Sequence, residues 1–358
     1  MSRIVLPLLL LLRMRIEQLT FTRFLAAVII IVFHYGLDVP PFTYSSISFL
    51  FSNIGISYFF VLSGFVLIIA YSKSDQPIVP RTFYKNRFAR VYPVYLFALL
   101  FHILMLWICN FSITWDGVLV NLSMLQAWIP QYAMAINRAG WTLSVEVLFY
   151  LSFPLVYNTF YKKYQLSPTA MAILGFWLCS QMLSSYLISI PTNIKEDSFS
   201  HHFIYYFPLM HFNQFLVGNL FGMILLNTYD RFSKNWDVLL ILLLAGMAAL
   251  LRYPIPFANY HNGFLALFFG FIILIISLNT GLCTKLTSGK MAVFLGEISF
   301  GMYILQIPVH DAFYKITKPF YYQHPNWFFY LYLLVLLLIS ALSFHFIETP
   351  LRRLIRKW

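Results

Sequence analysis

The sequence predicts an all-α, polytopic integral membrane bundle of about ten transmembrane helices with both termini cytoplasmic. Three observations predict it. Of 358 residues, 60% are hydrophobic and 10% charged, whereas a soluble domain carries about a quarter charged residues. The apolar residues come in unbroken runs about as long as a bilayer requires, not in the alternating pattern of a membrane β-barrel. The basic residues outnumber the acidic ones by 24 to 12 and are unevenly distributed along the chain. A mean hydropathy of +0.75 excludes a soluble globular protein and a disordered tail.

The spans are read in chain order at Phe21–Gly36, Ile54–Tyr71, Val91–Cys109, Trp141–Phe160 and Thr169–Ile188. They continue at Tyr205–Asn227, Asp237–Leu251, Asn262–Thr280, Ala292–Phe313 and Trp327–Ile347. Each is apolar over about the length that crosses the hydrocarbon core. The segment Gly117–Pro130 is apolar but short and broken, and is placed as an interfacial or re-entrant element outside the membrane. The domain reading is therefore a cytoplasmic N-terminal segment over 1–20, a ten-helix membrane domain over 21–347 and a basic cytoplasmic tail over 348–358.

The charge map orients this arrangement. With the N-terminus inside, the inner segments hold eighteen basic residues, among them Arg3, Lys73, Arg81, Lys162, Arg231 and Arg352. The outer segments hold five: Arg138, Lys195, Arg252, Lys315 and Lys318. Cytoplasmic loops are the ones enriched in Lys and Arg. The net charge of +12 thus marks sidedness in a plasma (inner) membrane protein surrounded by lipid, and nucleic acid is not needed as a partner. The run Ile4–Leu12 between Arg3 and Arg13 is too short to span. It is either a surface-lying anchor or a stretch upstream of a true start at Met14. Cys109, Cys179 and Cys283 form no CxxC pair, so neither a disulfide framework nor a zinc site is expected.

Ionisable groups inside spans are costly and mark function by default. Arg23 and His34 lie eleven residues apart in the first span. That spacing turns the helix by about 1100°, within ~20° of three whole turns, and separates them by ~16 Å along its axis. They share one helix face, Arg23 near the cytoplasmic mouth and His34 past mid-membrane. Ahead of the third span, Arg87 and Arg90 are one helical turn apart, and two forked guanidiniums suit a phosphate or pyrophosphate. In the fourth span Glu146 is expected about one and a half turns below the outer surface, where a carboxylate near His34 would orient the imidazole. Glu297 with Ser299, Tyr303 and Gln306 reads as structural. His201 and His202 read as loop residues, and His102, His211 and His345 as packing histidines. No metal is expected.

These stretches together resemble acyltransferase family 3, the integral membrane O-acyltransferases of the O-antigen and polysaccharide acetylase type. Arg23 and His34 match its Arg-x10-His, and Phe59–Phe65 its second-span signature. Arg87-Phe-Ala-Arg90 matches its Arg-x-x-Arg, Trp141–Glu146 with Phe149 and Tyr150 its fourth-span block, and Glu348-Thr-Pro350 its Glu-x-Pro ending. The resemblance runs from Met14 to the C-terminus. It implies an acyl-CoA donor, most simply acetyl-CoA, bound from the cytoplasm by Arg87 and Arg90 with help from Arg23. His34 would act as general base or as nucleophile, and Glu146 would orient it or bind the acceptor. The acceptor it implies is a hydroxyl of a cell-surface or lipid-linked glycan. One departure stands out, because Gln306 occupies a position where family members usually carry a histidine; His310 lies four residues on. The competing class is a non-catalytic transporter or glycan-export component, since intramembrane His, Glu and Arg also serve proton coupling. Oligomeric state is not readable.

Overall fold

A computed structural model describes residues 5–52, 54–72, 76–256 and 258–357, with side chains described from residue 17 onward except at 230. Arg3 and Lys73 of the charge map, and Ile4 of the apolar run, lie outside the described residues. No strand occurs among the described residues, and a single isolated bridge pairs Lys234 with Asn279. Fourteen α-helices follow one another among the described residues. They are α1 (Val5–Tyr35), α2 (Ile54–Tyr71), α3 (Pro80–Ile108), α4 (Trp115–Leu122), α5 (Trp141–Val156), α6 (Leu166–Ile188) and α7 (Phe199–Tyr206). The chain continues with α8 (Phe212–Phe232), α9 (Asp237–Arg252), α10 (Ala266–Leu278), α11 (Leu282–Thr287), α12 (Lys290–Gln323), α13 (Pro325–Ser343) and α14 (Thr349–Lys357).

Among the described residues, eight helical stretches are long and apolar enough to cross a membrane, and Ala266–Leu278 is apolar but shorter. The protein is therefore a multi-pass, all-helical membrane protein. Each of the ten spans read from the sequence has a helix, although the seventh and eighth fall on α9 and α10, which at 16 and 13 residues are the short ones. The apolar run ending at Leu12 is, from Val5, the first part of α1 rather than a separate element.

Inside lipid, helices associate through close packing and hydrogen bonds, since lipid tails are as apolar as leucine. Glycines provide the closest approach here. A Cβ on Gly64 of α2 would collide with the Phe215 carbonyl oxygen of α8, and one on Gly218 with the Val61 carbonyl oxygen. The two backbones therefore touch at reciprocal small residues, and Phe60, Phe65, Phe149, Phe153 and Phe215 fill the core around them. Gly296 plays the same part between α12 and α1, against the Thr20 carbonyl, one turn before Arg23.

Three departures from the sequence expectation reposition the candidate residues. First, α3 starts at Pro80 rather than Val91, with Pro93 in its interior. Proline fits the first turn, where its missing N–H costs nothing, and is tolerated mid-helix where neighbours enclose the backbone. Arg87 and Arg90 are accordingly within the helix and not in a preceding loop.

Second, the stretch from Asn121 to Gly140 packs against α3 and α12. Asn137 donates to the Ile304 carbonyl (2.9 Å), fourteen residues into α12, and Tyr303 Oη donates to the Ala139 carbonyl (3.3 Å). Gln126 donates to the Gly140 carbonyl (2.6 Å), and Tyr95 to that of Asn121 (2.7 Å). The irregular backbone enters the bundle because these side chains satisfy it there. Consequently α5 begins inside the bundle, its first five residues, Trp141 to Val145, all buried.

Third, α5 and α13 each end in a π-turn, Tyr157–Tyr161 and Phe344–Glu348. In the first, Asn158 accepts from the Ile78 N–H and donates to its carbonyl, both at 2.9 Å. This clamp sets α3 and α5 in antiparallel register, so that Tyr84 donates to the Leu151 carbonyl (3.1 Å) and Arg87 lies over Tyr150. The second π-turn delivers Glu348, which is buried.

Candidate active site

A cavity of about 290 Å³ opens among α1, α2, α3, α5, α12 and the α13–α14 junction. Its polar lining is Arg23, Arg87, Arg90 and Arg352 with Glu146, Glu297, Glu348 and Tyr150. The apolar wall includes Phe59, Leu62, Val66 and Phe300. Four cations against three carboxylates leave it net positive.

The arrangement within the cavity determines what it can bind. Arg87 is fixed by aromatic faces, with its guanidinium carbon 5.4 Å from the Phe83 ring centre, 5.7 Å from that of Tyr71 and 5.9 Å from that of Tyr150. Stacking of this kind orients a planar guanidinium without consuming its hydrogen bonds. Its buried Nε has no hydrogen-bond partner, and neither has Glu348 Oε1. Glu146 accepts from Tyr150 Oη at 2.6 Å and lies within electrostatic reach of Arg90, Arg23 and Arg87. Among the described residues, none of the four arginines closes an ion pair within 4.0 Å. The donors are thus held in place and left open, which is the condition a bound polyanion requires. A phosphate-bearing ligand fits this donor set.

The structure brings together Arg23, Arg87, Arg90 and Glu146, but not Glu146 and His34. His34 is absent from the cavity lining. Its Nδ1 meets Gln306 Oε1 at 2.9 Å. The orienting partner expected of Glu146 is therefore Gln306, and Glu146 belongs with the arginines because α5 starts inside the bundle. His310 does not stand in for the expected histidine: its ring stacks on Tyr35 at 4.1 Å and its Nδ1 lies 3.3 Å from Asp311. His102, read as a packing histidine, contacts the other oxygen of Asp311 at 3.3 Å. His202 is not a loop residue; it is buried in α7 and donates Nδ1 to the Pro130 carbonyl at 2.8 Å.

Four cavity residues were given no part in binding by the sequence reading. Glu297, read as structural, lines the cavity, as do Tyr150 and Glu348, noted only within motifs, and Arg352, noted only as an inner charge. Arg352 is four residues beyond Glu348, so the two could have been paired on one helical face. What the sequence alone lacks is the π-turn that aims Glu348 inward.

Residues 16–345 match the family model described as an acyltransferase domain. The chain belongs to this acyltransferase family. The membership agrees with the resemblance read from the motifs. Acyltransferase MdmB of Streptomyces mycarofaciens is 33% identical over 150 residues, 39% of this chain and 35% of that protein. O-acetyltransferase OatA of Staphylococcus aureus is 24% identical over 331 residues, 84% of this chain and 52% of that protein. A putative acetyltransferase of Acidianus two-tailed virus is 22% identical over 263 residues, 72% of this chain and 73% of that protein. The matched region thus spans about a third of the first relative and about half of the second. No solved structure matches the chain.

Proposed function

We propose that the protein is a membrane O-acyltransferase that moves an acetyl group from cytoplasmic acetyl-CoA to a hydroxyl of a cell-surface or lipid-linked glycan. It would sit in the plasma (inner) membrane on ten spans with both termini cytoplasmic. The observation that carries this reading is the cavity in which Arg23, Arg87 and Arg90 converge with Arg87 Nε unpartnered, within an acyltransferase domain. The names of the relatives, an O-acetyltransferase and an acyltransferase, support the acetyl group and the hydroxyl acceptor.

In this reading the arginines hold the donor's phosphates, and the thioester extends along α1 towards His34. His34 removes the proton from the acceptor hydroxyl as its oxygen attacks the thioester carbonyl. The C–S bond breaks, the coenzyme leaves as thiolate, and the proton returns from the imidazolium to sulfur. Glu146, anchored by Tyr150, offsets part of the mutual repulsion of the three arginines around it. The deciding experiment incubates the purified full chain with labelled acetyl-CoA, with and without candidate glycans. Acceptor-dependent transfer, or slow donor hydrolysis without an acceptor, is expected. Absence of both, together with coupled uptake into vesicles, would replace the enzyme with a transporter.

A further inference from the structure

Gln306 is enclosed on all sides and makes a set of bonds that permits one amide orientation. Its Nε2 donates to the Tyr303 carbonyl at 2.8 Å, one turn back on α12. A carbonyl only accepts, so the NH2 group must face Tyr303 and Oε1 must face His34. The backbone beneath is held as well, since Tyr332 Oη of α13 donates to the Gln306 carbonyl at 3.0 Å. Both Gln306 and Tyr332 are fully buried, while His34, which meets Gln306, is partly exposed.

We infer that Gln306 is a positioning residue that fixes His34 as its Nδ1–H tautomer and leaves Nε2 bare as the reacting nitrogen. The reasoning is one of donors and acceptors: Oε1 has no hydrogen to give, so the 2.9 Å contact requires the proton on Nδ1. Arg138 acts on His34 electrostatically, but a guanidinium offers no acceptor and cannot hold that tautomer. Tyr35, the neighbouring residue, is occupied on its ring face by His310. An amide suits this task because it is neutral: it orients the imidazole without adding a charge that would favour the imidazolium. The inference rests on the proposed role of His34 only for its kinetic consequence; the tautomer itself can be read without turnover.

The test is 15N NMR of the full chain labelled at histidine, with the His34 signals assigned by their loss in His34→Ala. The expected wild-type pattern is a protonated Nδ1 and an unprotonated Nε2. Gln306→Leu should give a mixture of tautomers, whereas Gln306→Glu, which keeps an oxygen facing Nδ1, should retain the wild-type one. In turnover, Gln306→Leu should lower kcat by roughly 10- to 100-fold, part of a general base's whole contribution, with donor KM unchanged. A wild-type Nε2–H tautomer, or a tautomer unmoved in Gln306→Leu, overturns the proposal. If the spectra come out as expected but His34→Ala transfers acetyl at full rate, the positioning stands and the acyltransferase role of His34 falls.

Discussion

Arg87 is a stacked side chain with an unpartnered nitrogen, so its charge and its shape can be separated experimentally. Arg87→Ala and Arg90→Ala should each raise the donor KM by roughly 10- to 100-fold, the weight of one or two charge-assisted hydrogen bonds, with a smaller effect on kcat. Arg87→Lys should recover little, because a lysine keeps the charge but neither the fork nor the stacking. Isothermal titration with a non-hydrolysable acyl-CoA analogue would read both, and unchanged affinity in the alanine variants would reduce the pair to a sidedness signal. His34→Ala should cost about 10²- to 10⁴-fold in rate, the usual worth of a general base, while the protein remains inserted and monodisperse. At this scale the sequence was informative where helical period alone decides, as for Arg87 with Arg90, which line one cavity with Arg23, whereas His34 on the same helix as Arg23 does not line it. It was uninformative about Glu146, whose partner depends on how deep a neighbouring segment drives the start of α5. Gln306 was visible only as a departure from a pattern, since its role needs Tyr303 and Tyr332 around it.

Among the elements, the pairing of α3 with α5 determines where the arginines point. Asn158→Leu removes both bonds of the Ile78 clamp and should cost about 1–3 kcal/mol, the price of leaving buried backbone groups unmet. Because Arg87 and Arg90 ride on α3, donor affinity should fall together with thermal stability in detergent. Loss of stability with unaltered donor affinity would mean that the register is maintained elsewhere. Gly218→Leu should be more severe than Asn158→Leu, since its side chain would enter the α2 backbone, and overpacking of this kind costs about 1–3 kcal/mol or more. The long apolar helices were legible from hydropathy, whereas the short α4, α7, α11 and α14 were not read as helices. The start of α3 was not legible either, because Pro93 looks like a boundary in sequence, and only the enclosure of its freed backbone lets the helix continue through it. The π-turn at Phe344–Glu348 has no sequence signal of its own.

For the whole molecule, the proposed sidedness rests on charge. On a background lacking Cys109, Cys179 and Cys283, cysteines at Asn193 and Ser233 should react with impermeant reagents from opposite sides, the former from outside and the latter from inside. Labelling of both from one side would refute the orientation. The overall plan, an all-helical multi-pass membrane bundle, could be read because composition does not depend on packing. The packing of the stretch from Asn121 to Gly140 against α3 and α12 could not, since a broken apolar segment looks the same on a surface as against a bundle.

Helix α1 carries both Arg23 and His34 without an interruption between Val5 and Tyr35. A continuous helix has no hinge, so the distance between the two residues is a fixed gauge of ~16 Å. On the proposed roles of the two residues, a donor gripped at one mark and spent at the other must itself be that long. Acetyl phosphate, which carries the same reactive group directly on its phosphate, is too short to reach both, and should fail as a donor at any concentration that leaves the protein folded. The selectivity for a coenzyme with a long flexible arm would then follow from the pitch of one helix, with no pocket needed to recognise the arm.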